Sequence, residues 1–232
     1  MDKRKFNSWS VTMLAAAWFP SFASAFTLDD LSQGDAGRAL KAALERGARN
    51  AVGQLGQVNG FLGNDKVRIP LPRQLQDAES TLRRFGMGDR LDELVTSMNR
   101  AAEAAVPLAQ DLMLGAVRAM SVDDAKRILN GGDTAVTGFF AEKTRMPLGQ
   151  KFLPVVTRTT EKVGLAGQYN QIAGKAADFG LMKREDASIQ QYVTGKALDG
   201  LYLVIGEEER KIRRDPVGTG SALLSKVFGA LK

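Results

Sequence analysis

From Asp35 onward the apolar side chains of this chain recur at spacings of three and four, the pitch of an α-helix, and not at the spacing of two that a half-buried strand requires. The clearest stripe runs Leu91, Leu94, Val95, Met98, Ala102, Ala105, Val106, Ala109, Leu112, Met113, Ala116, Val117, Met120. It predicts one long helix at the centre of a core, with Asp89 placed to cap its start. A second stripe, Ala36, Leu40, Ala43, Leu44, Ala48, Val52 and Leu55, predicts a helix over 35–55.

Further helices are marked by their punctuation. Ser121 with Asp124 three positions on reads as a capping box, and Gly131-Gly132 as the stop for the helix that carries Ile128 and Leu129. Asp133 or Thr134 begins another helix, expected to run to about Arg145, with Met146-Pro147 and Leu153-Pro154 as further boundaries. A shorter helix over 165–179 ends near Gly180. A long one over 185–213 turns Ile189, Val193, Ala197, Leu201 and Ile205 inward. Pro216 opens a last short helix with Leu223, Leu224, Val227 and Phe228.

The stretch 58–72 departs from this period. Val67, Ile69 and Leu71 alternate with Arg68, Pro70 and Pro72, which suits extended chain, yet two prolines forbid a central strand. An ordered loop over the bundle is expected. With no internal repeat and no linker, the chain reads as an all-α, single-domain helical bundle or orthogonal array over 26–232, preceded by a leader over 1–25.

That leader has three parts. Lys3, Arg4 and Lys5 give a positive start, Val11–Phe19 a short apolar run, and Ala23-Ser24-Ala25 a small-x-small pattern, so a cleaved signal peptide and a mature chain from Phe26 in the periplasm are expected. The run falls short of the ~20 apolar residues that span a bilayer, so no transmembrane segment is expected after cleavage.

Composition removes much chemistry. The chain has no Cys and no His. Disulfides, cysteine or Ser-His-Asp nucleophilic catalysis and ordinary zinc sites are therefore excluded. No EF-hand spacing is present, and neither cofactor nor metal is expected. The net charge of +6 falls to +4 once Asp2, Lys3, Arg4 and Lys5 are removed, too slight and too scattered to point to nucleic acid.

Several short stretches are distinctive together: Asn59-Gly60-Phe61, the run Val67–Pro72, Met98–Glu103, Asp124-Ala125 with Ile128-Leu129 and Gly131, Thr137 with Phe139-Phe140, Leu198–Leu201, and Glu209 with Ile212-Arg213 and Asp215-Pro216 through Val227-Phe228-Gly229. In these the chain resembles domain-of-unknown-function family 4197, exported proteins of Gram-negative bacteria. The resemblance implies export and a helical fold, and carries no activity.

Candidate chemistry gathers near Pro107. Inside a helix, a proline pushes on the carbonyl four residues back, that of Glu103. Asn99 and Glu103, at i and i+4, share a flank with Arg100 close by. That trio is a candidate ligand-binding or acid–base cluster; the competing reading is a polar network that locks a bend. Phe139, beside Phe140, is a candidate pocket-lining residue, with one ring of the pair expected in the core and the other near the surface. Asp199 sits in apolar surroundings and needs a partner if buried, with Arg100 one option. Glu103 and Asp199 are the weak catalytic candidates, as a carboxylate pair of the kind glycan hydrolysis uses. The segment Ile69–Pro72 reads either as a recognition element or as a rigid connector. Glu207–Arg214 reads as a solvated helix end with Glu207–Lys211 and Glu209–Arg213 pairs.

Three functions are compatible with these residues. The first is non-enzymatic binding or scaffolding in the periplasm, with an apolar envelope ligand or a protein partner. The second is a carboxylate-based hydrolase on an envelope substrate. The third is peripheral membrane association through residues 217–231.

Overall fold

A computed structural model describes residues 33–215, apart from Met182. The expected leader and the expected helix after Pro216 lie outside the described residues. Helices supply most of the described core, with Phe61, Val67, Ile69 and Leu71 of one loop added to it, and no strand occurs among the described residues.

The elements are α1 (Gln33–Leu55), α2 (Arg73–Arg84), α3 (Gly88–Ala105), α4 (Ala109–Arg118), α5 (Val122–Asn130), α6 (Ala135–Thr160), α7 (Gly164–Asp178) and α8 (Ile189–Arg214). Helices α6 and α8 pack along one another and α3 lies against both. Helix α1 rests on α4 and α8, α7 touches α3 and α8, and α2 packs on α3. The centre is closed by Leu91, Leu94 and Met98 of α3, Leu148, Phe152 and Val156 of α6, and Val193, Ala197 and Leu201 of α8, none more than 1% exposed. A large apolar side chain buried this completely contributes roughly 1.5–3 kcal/mol by transfer alone.

The stripe from Leu91 to Met120 does not form one helix. It is α3 and α4 joined by a 3₁₀ turn over Val106–Leu108. Pro107 lacks the N–H that would continue the α-helical ladder, and the tighter turn takes up the break. The last residues of α1 pack here, where a Cβ on Gly56 would stand 2.9 Å from Cγ of Pro107. Asp89 lies in the first turn of α3 and is not its cap, the N-cap position being Met87.

Two other boundaries differ from expectation. Helix α6 continues through Pro147 and Pro154 to Thr160. Its inward positions, Thr144, Leu148, Phe152, Val156 and Thr160, keep a spacing of four across both prolines. Pro154 is exposed and Pro147 half-buried. The carbonyl freed by Pro154 therefore falls on the outer side, where a helix tolerates bending and water serves as partner. The polar helix α2, between Pro72 and Phe85, was not expected from the pattern. By contrast, the Ser121–Asp124 capping box forms, and α7 stops at Asp178, two residues before Gly180, whose φ of +72° favours glycine.

Candidate functional site

The stretch between α1 and α2 is an irregular loop, as its prolines require, and it is ordered by the flank of α3. Asn99 is fully buried and holds Ile69 at both backbone groups. Its Oδ1 accepts from the Ile69 N–H at 2.8 Å, and its Nδ2 donates to the Ile69 carbonyl at 2.9 Å and to that of Val95 at 2.8 Å. An amide is the side chain suited to this, since it carries donor and acceptor side by side.

Glu103 serves the other end of the loop. Its Oε1 accepts from the N–H of Phe61 at 3.1 Å and of Leu62 at 3.0 Å. Its Oε2 pairs with Nη1 of Arg100 at 2.6 Å. Arg100 in turn donates through Nη2 to Oδ1 of Asn59 at 2.8 Å. Asn59 has φ of +67°, a conformation asparagine adopts more readily than most residues. Gly60 follows because a Cβ there would stand 2.4 Å from the Leu55 carbonyl oxygen.

Burial pushes the Glu103 carboxyl upward, but the Leu62 N–H, the Arg100 guanidinium and the Phe61 N–H outweigh it, and the group lies below the usual glutamate range. It is an ionised, fully engaged acceptor, not a poised acid. These bonds seat Phe61, with no exposed surface, against α8, where a Cβ on Gly200 would stand 2.8 Å from its ring. Two further ties come from α8: the Tyr192 hydroxyl donates to the Pro70 carbonyl at 3.2 Å, and Glu207 pairs with Lys66 at 2.6 Å. Burial first, with the charge of Asp186 adding to it, pushes the Tyr192 hydroxyl up to about 12.

The other candidates are placed differently from expectation. Asp199 is half-exposed and pairs with Arg145 of α6, not with Arg100. Phe139 and Phe140 are both buried, at 5% and 1%, and meet edge to face with centroids 5.5 Å apart, so neither ring is near the surface. A small apolar hollow of about 20 Å³ between α1, α6 and α8 is lined by Phe140 and not by Phe139. That is room for about one water. Glu207 reaches Lys66, while Lys211 takes Glu208 at 2.6 Å.

Glu209 is buried, not solvated as the charge pattern of Glu207–Arg214 predicts. It is 3% exposed, and its carboxylate accepts from the N–H groups of Val136 at 3.1 Å and Thr137 at 3.2 Å, capping α6 from α8. Arg213 neutralises it at 2.9 Å and donates to the Ile128 carbonyl at the end of α5. A signal for this was present: Glu209 continues the inward series Val193, Ala197, Leu201, Ile205 at a spacing of four.

These features define a class: an all-helical described fold with one ordered loop packed into its core, whose buried charges are engaged in holding elements together. Within that class, the chain belongs to the family described as protein of unknown function (DUF4197), whose model matches residues 30–229. No curated protein and no solved structure matches it.

Proposed function

We propose that this is an exported, non-enzymatic protein of the periplasm that acts by binding a protein partner, as an adaptor or scaffold. The observation that carries the reading is that Phe179 and Leu181, just beyond the end of α7, and Ile172 within it are left in solvent, exposed to 80%, 82% and 74%. Large apolar side chains left exposed close together mark interaction sites, and Phe179 and Leu181 are two residues apart. The apolar hollow between α1, α6 and α8 offers only about 20 Å³, which favours a protein partner over an apolar molecule enclosed there.

The hydrolase reading draws no support from the acids that suggested it. Glu103 accepts from two backbone N–H groups and pairs with Arg100, and Asp199 is held by Arg145. Membrane association through residues 217–231 concerns a segment outside the described residues. Export is supported by the three-part leader, Lys3 to Ala25.

Native mass spectrometry of the protein recovered from a periplasmic extract tests the reading. A defined partner mass is expected, lost when Phe179 and Leu181 are both replaced by Asp. The chain should begin at Phe26. A bare monomer from both proteins, with helical content unchanged, would contradict the partner reading; recovery only from the cytoplasm would contradict export.

A further inference from the structure

The dipeptide Asn-Gly occurs twice, at Asn59-Gly60 and at Asn130-Gly131. It carries a reaction of its own. The glycine nitrogen attacks Cγ of the asparagine and a C–N bond forms. The side-chain nitrogen leaves as ammonia, taking the glycine amide proton with it. Water then opens the cyclic imide at either carbonyl, giving aspartate or isoaspartate. Glycine favours the attack because no Cβ obstructs the approach of its nitrogen. In both places the fold demands the glycine. A Cβ at Gly60 would stand 2.4 Å from the Leu55 carbonyl oxygen, and one at Gly131 would stand 2.5 Å from Cβ of Ala135.

Both asparagines are exposed, so access to water does not separate them. The backbone does. The attack needs the asparagine backbone to rotate until the next nitrogen faces Cγ. At Asn59 three bonds oppose this. Its Oδ1 accepts from Nη2 of Arg100 at 2.8 Å, its carbonyl accepts from the Gly63 N–H at 3.1 Å, and the Gly60 N–H donates to the Gln57 carbonyl at 2.9 Å. Asn130 is the last residue of α5, so its carbonyl lies beyond the helical ladder. Among the described residues, neither that carbonyl, nor the Gly131 N–H, nor the Asn130 side chain makes a hydrogen bond. Rotation there breaks nothing.

We propose that Asn130 converts spontaneously to aspartate and isoaspartate in the folded protein, and that the turn holding Asn59 withholds the same reaction there. The site is independent of the partner reading. Its product alters the end of α5. The new carboxylate stands at a helix C-terminus, where the dipole disfavours it. Isoaspartate also adds a methylene to the main chain. Two residues earlier the Ile128 carbonyl accepts from Arg213 of α8 at 2.9 Å, so the change falls beside the contact between α5 and α8.

Peptide mapping of the purified protein, held in mildly alkaline buffer either folded or in guanidinium, tests this, with isoaspartate labelled by isoaspartyl methyltransferase. In the folded protein Asn130 should convert at least about tenfold faster than Asn59, which reacts only when its turn opens. In guanidinium the two should convert at similar rates, because glycine follows both. Arg100→Gln should speed conversion at Asn59 and leave Asn130 unchanged. Equal rates at the two sites in the folded protein would overturn the proposal. So would an Asn130 that stays intact when folded while the denatured chain converts. An Asn59 no faster in Arg100→Gln than in the wild type would overturn the shielding assigned to Arg100.

Discussion

Asn99, Arg100 and Glu103 show how one flank of a helix can order a segment that has no secondary structure of its own. Each bond they make to the loop goes to a backbone group that would otherwise be buried unpaired, or to a residue that fixes the loop's turn. Their loss should register in stability rather than in a reaction. Glu103→Ala strands two backbone N–H groups and the Arg100 charge, and urea titration should show a loss of about 2–4 kcal/mol. Asn99→Ala should cost about 2–3 kcal/mol for the same reason at Ile69. The comparison residue is Asp199: its ion pair with Arg145 is half in solvent, and Asp199→Ala should cost less than about 1 kcal/mol. The trio was legible in the sequence as a cluster because helical spacing alone brings Asn99, Arg100 and Glu103 together. What it holds was not, because Phe61 and Ile69 lie 42 and 30 residues away and only folding brings them to it. Asp199 and Phe139 were misplaced for a related reason: spacing along a helix says which residues share a face, not which neighbour covers that face.

Among the helices, those with a continuous apolar stripe were readable, and the exceptions have identifiable causes. In α6 the prolines predict boundaries, whereas the helix keeps its inward face and turns Pro154 outward. Replacing Pro154 by Ala should therefore restore a ladder bond and raise stability by about 1–2 kcal/mol, measurable as a higher melting temperature. Helix α2 carries no apolar stripe to predict it, being mostly charged and amide-bearing, with Leu75 and Leu82 partly buried against the core. It has no buried residue and is anchored by Arg83, which pairs with Glu79 at 2.9 Å and Asp92 at 2.6 Å. A twelve-residue helix with so little burial is marginal by itself. Its amides should exchange with deuterium at least tenfold faster than those of α6 and α8, a difference that salt should widen by screening the exposed pairs.

For the molecule as a whole, stability comes from packing and from a few buried ions, since no cysteine is present to form a disulfide. The ions set its response to pH. Glu103 lies below its ordinary value of 4.5, and Asp124, held by Ser121 through both hydroxyl and backbone N–H and then by Arg127, is lowered from 3.8 to about 2. A carboxyl whose folded value is depressed stabilises above its unfolded value, and that stability is lost as pH falls through the folded one. Stability should thus begin to fall below about pH 4.5 and continue falling toward pH 2. At the alkaline side, burial raises Tyr169, Tyr192 and Tyr202. Their contribution is complete below pH 10 and is lost above it, through about 12 for Tyr192. Between these limits no histidine titrates, so melting temperatures should be level from pH 6 to 8. A steep change inside that window would contradict this assignment of charges.

The claim on which the rest depends is that the polar flank of α3 exists to seat the loop, and it is tested most directly by amide hydrogen exchange at Phe61, Leu62 and Ile69. In the wild type these amides should be strongly protected. In Glu103→Ala the Phe61 and Leu62 amides should lose protection first, and in Asn99→Ala that of Ile69, while those in the middle of α6 and α8 keep theirs. Fast exchange at all three in the wild type, or protection untouched by both substitutions, would contradict the account and return Asn99, Arg100 and Glu103 to the list of groups free to act on a ligand.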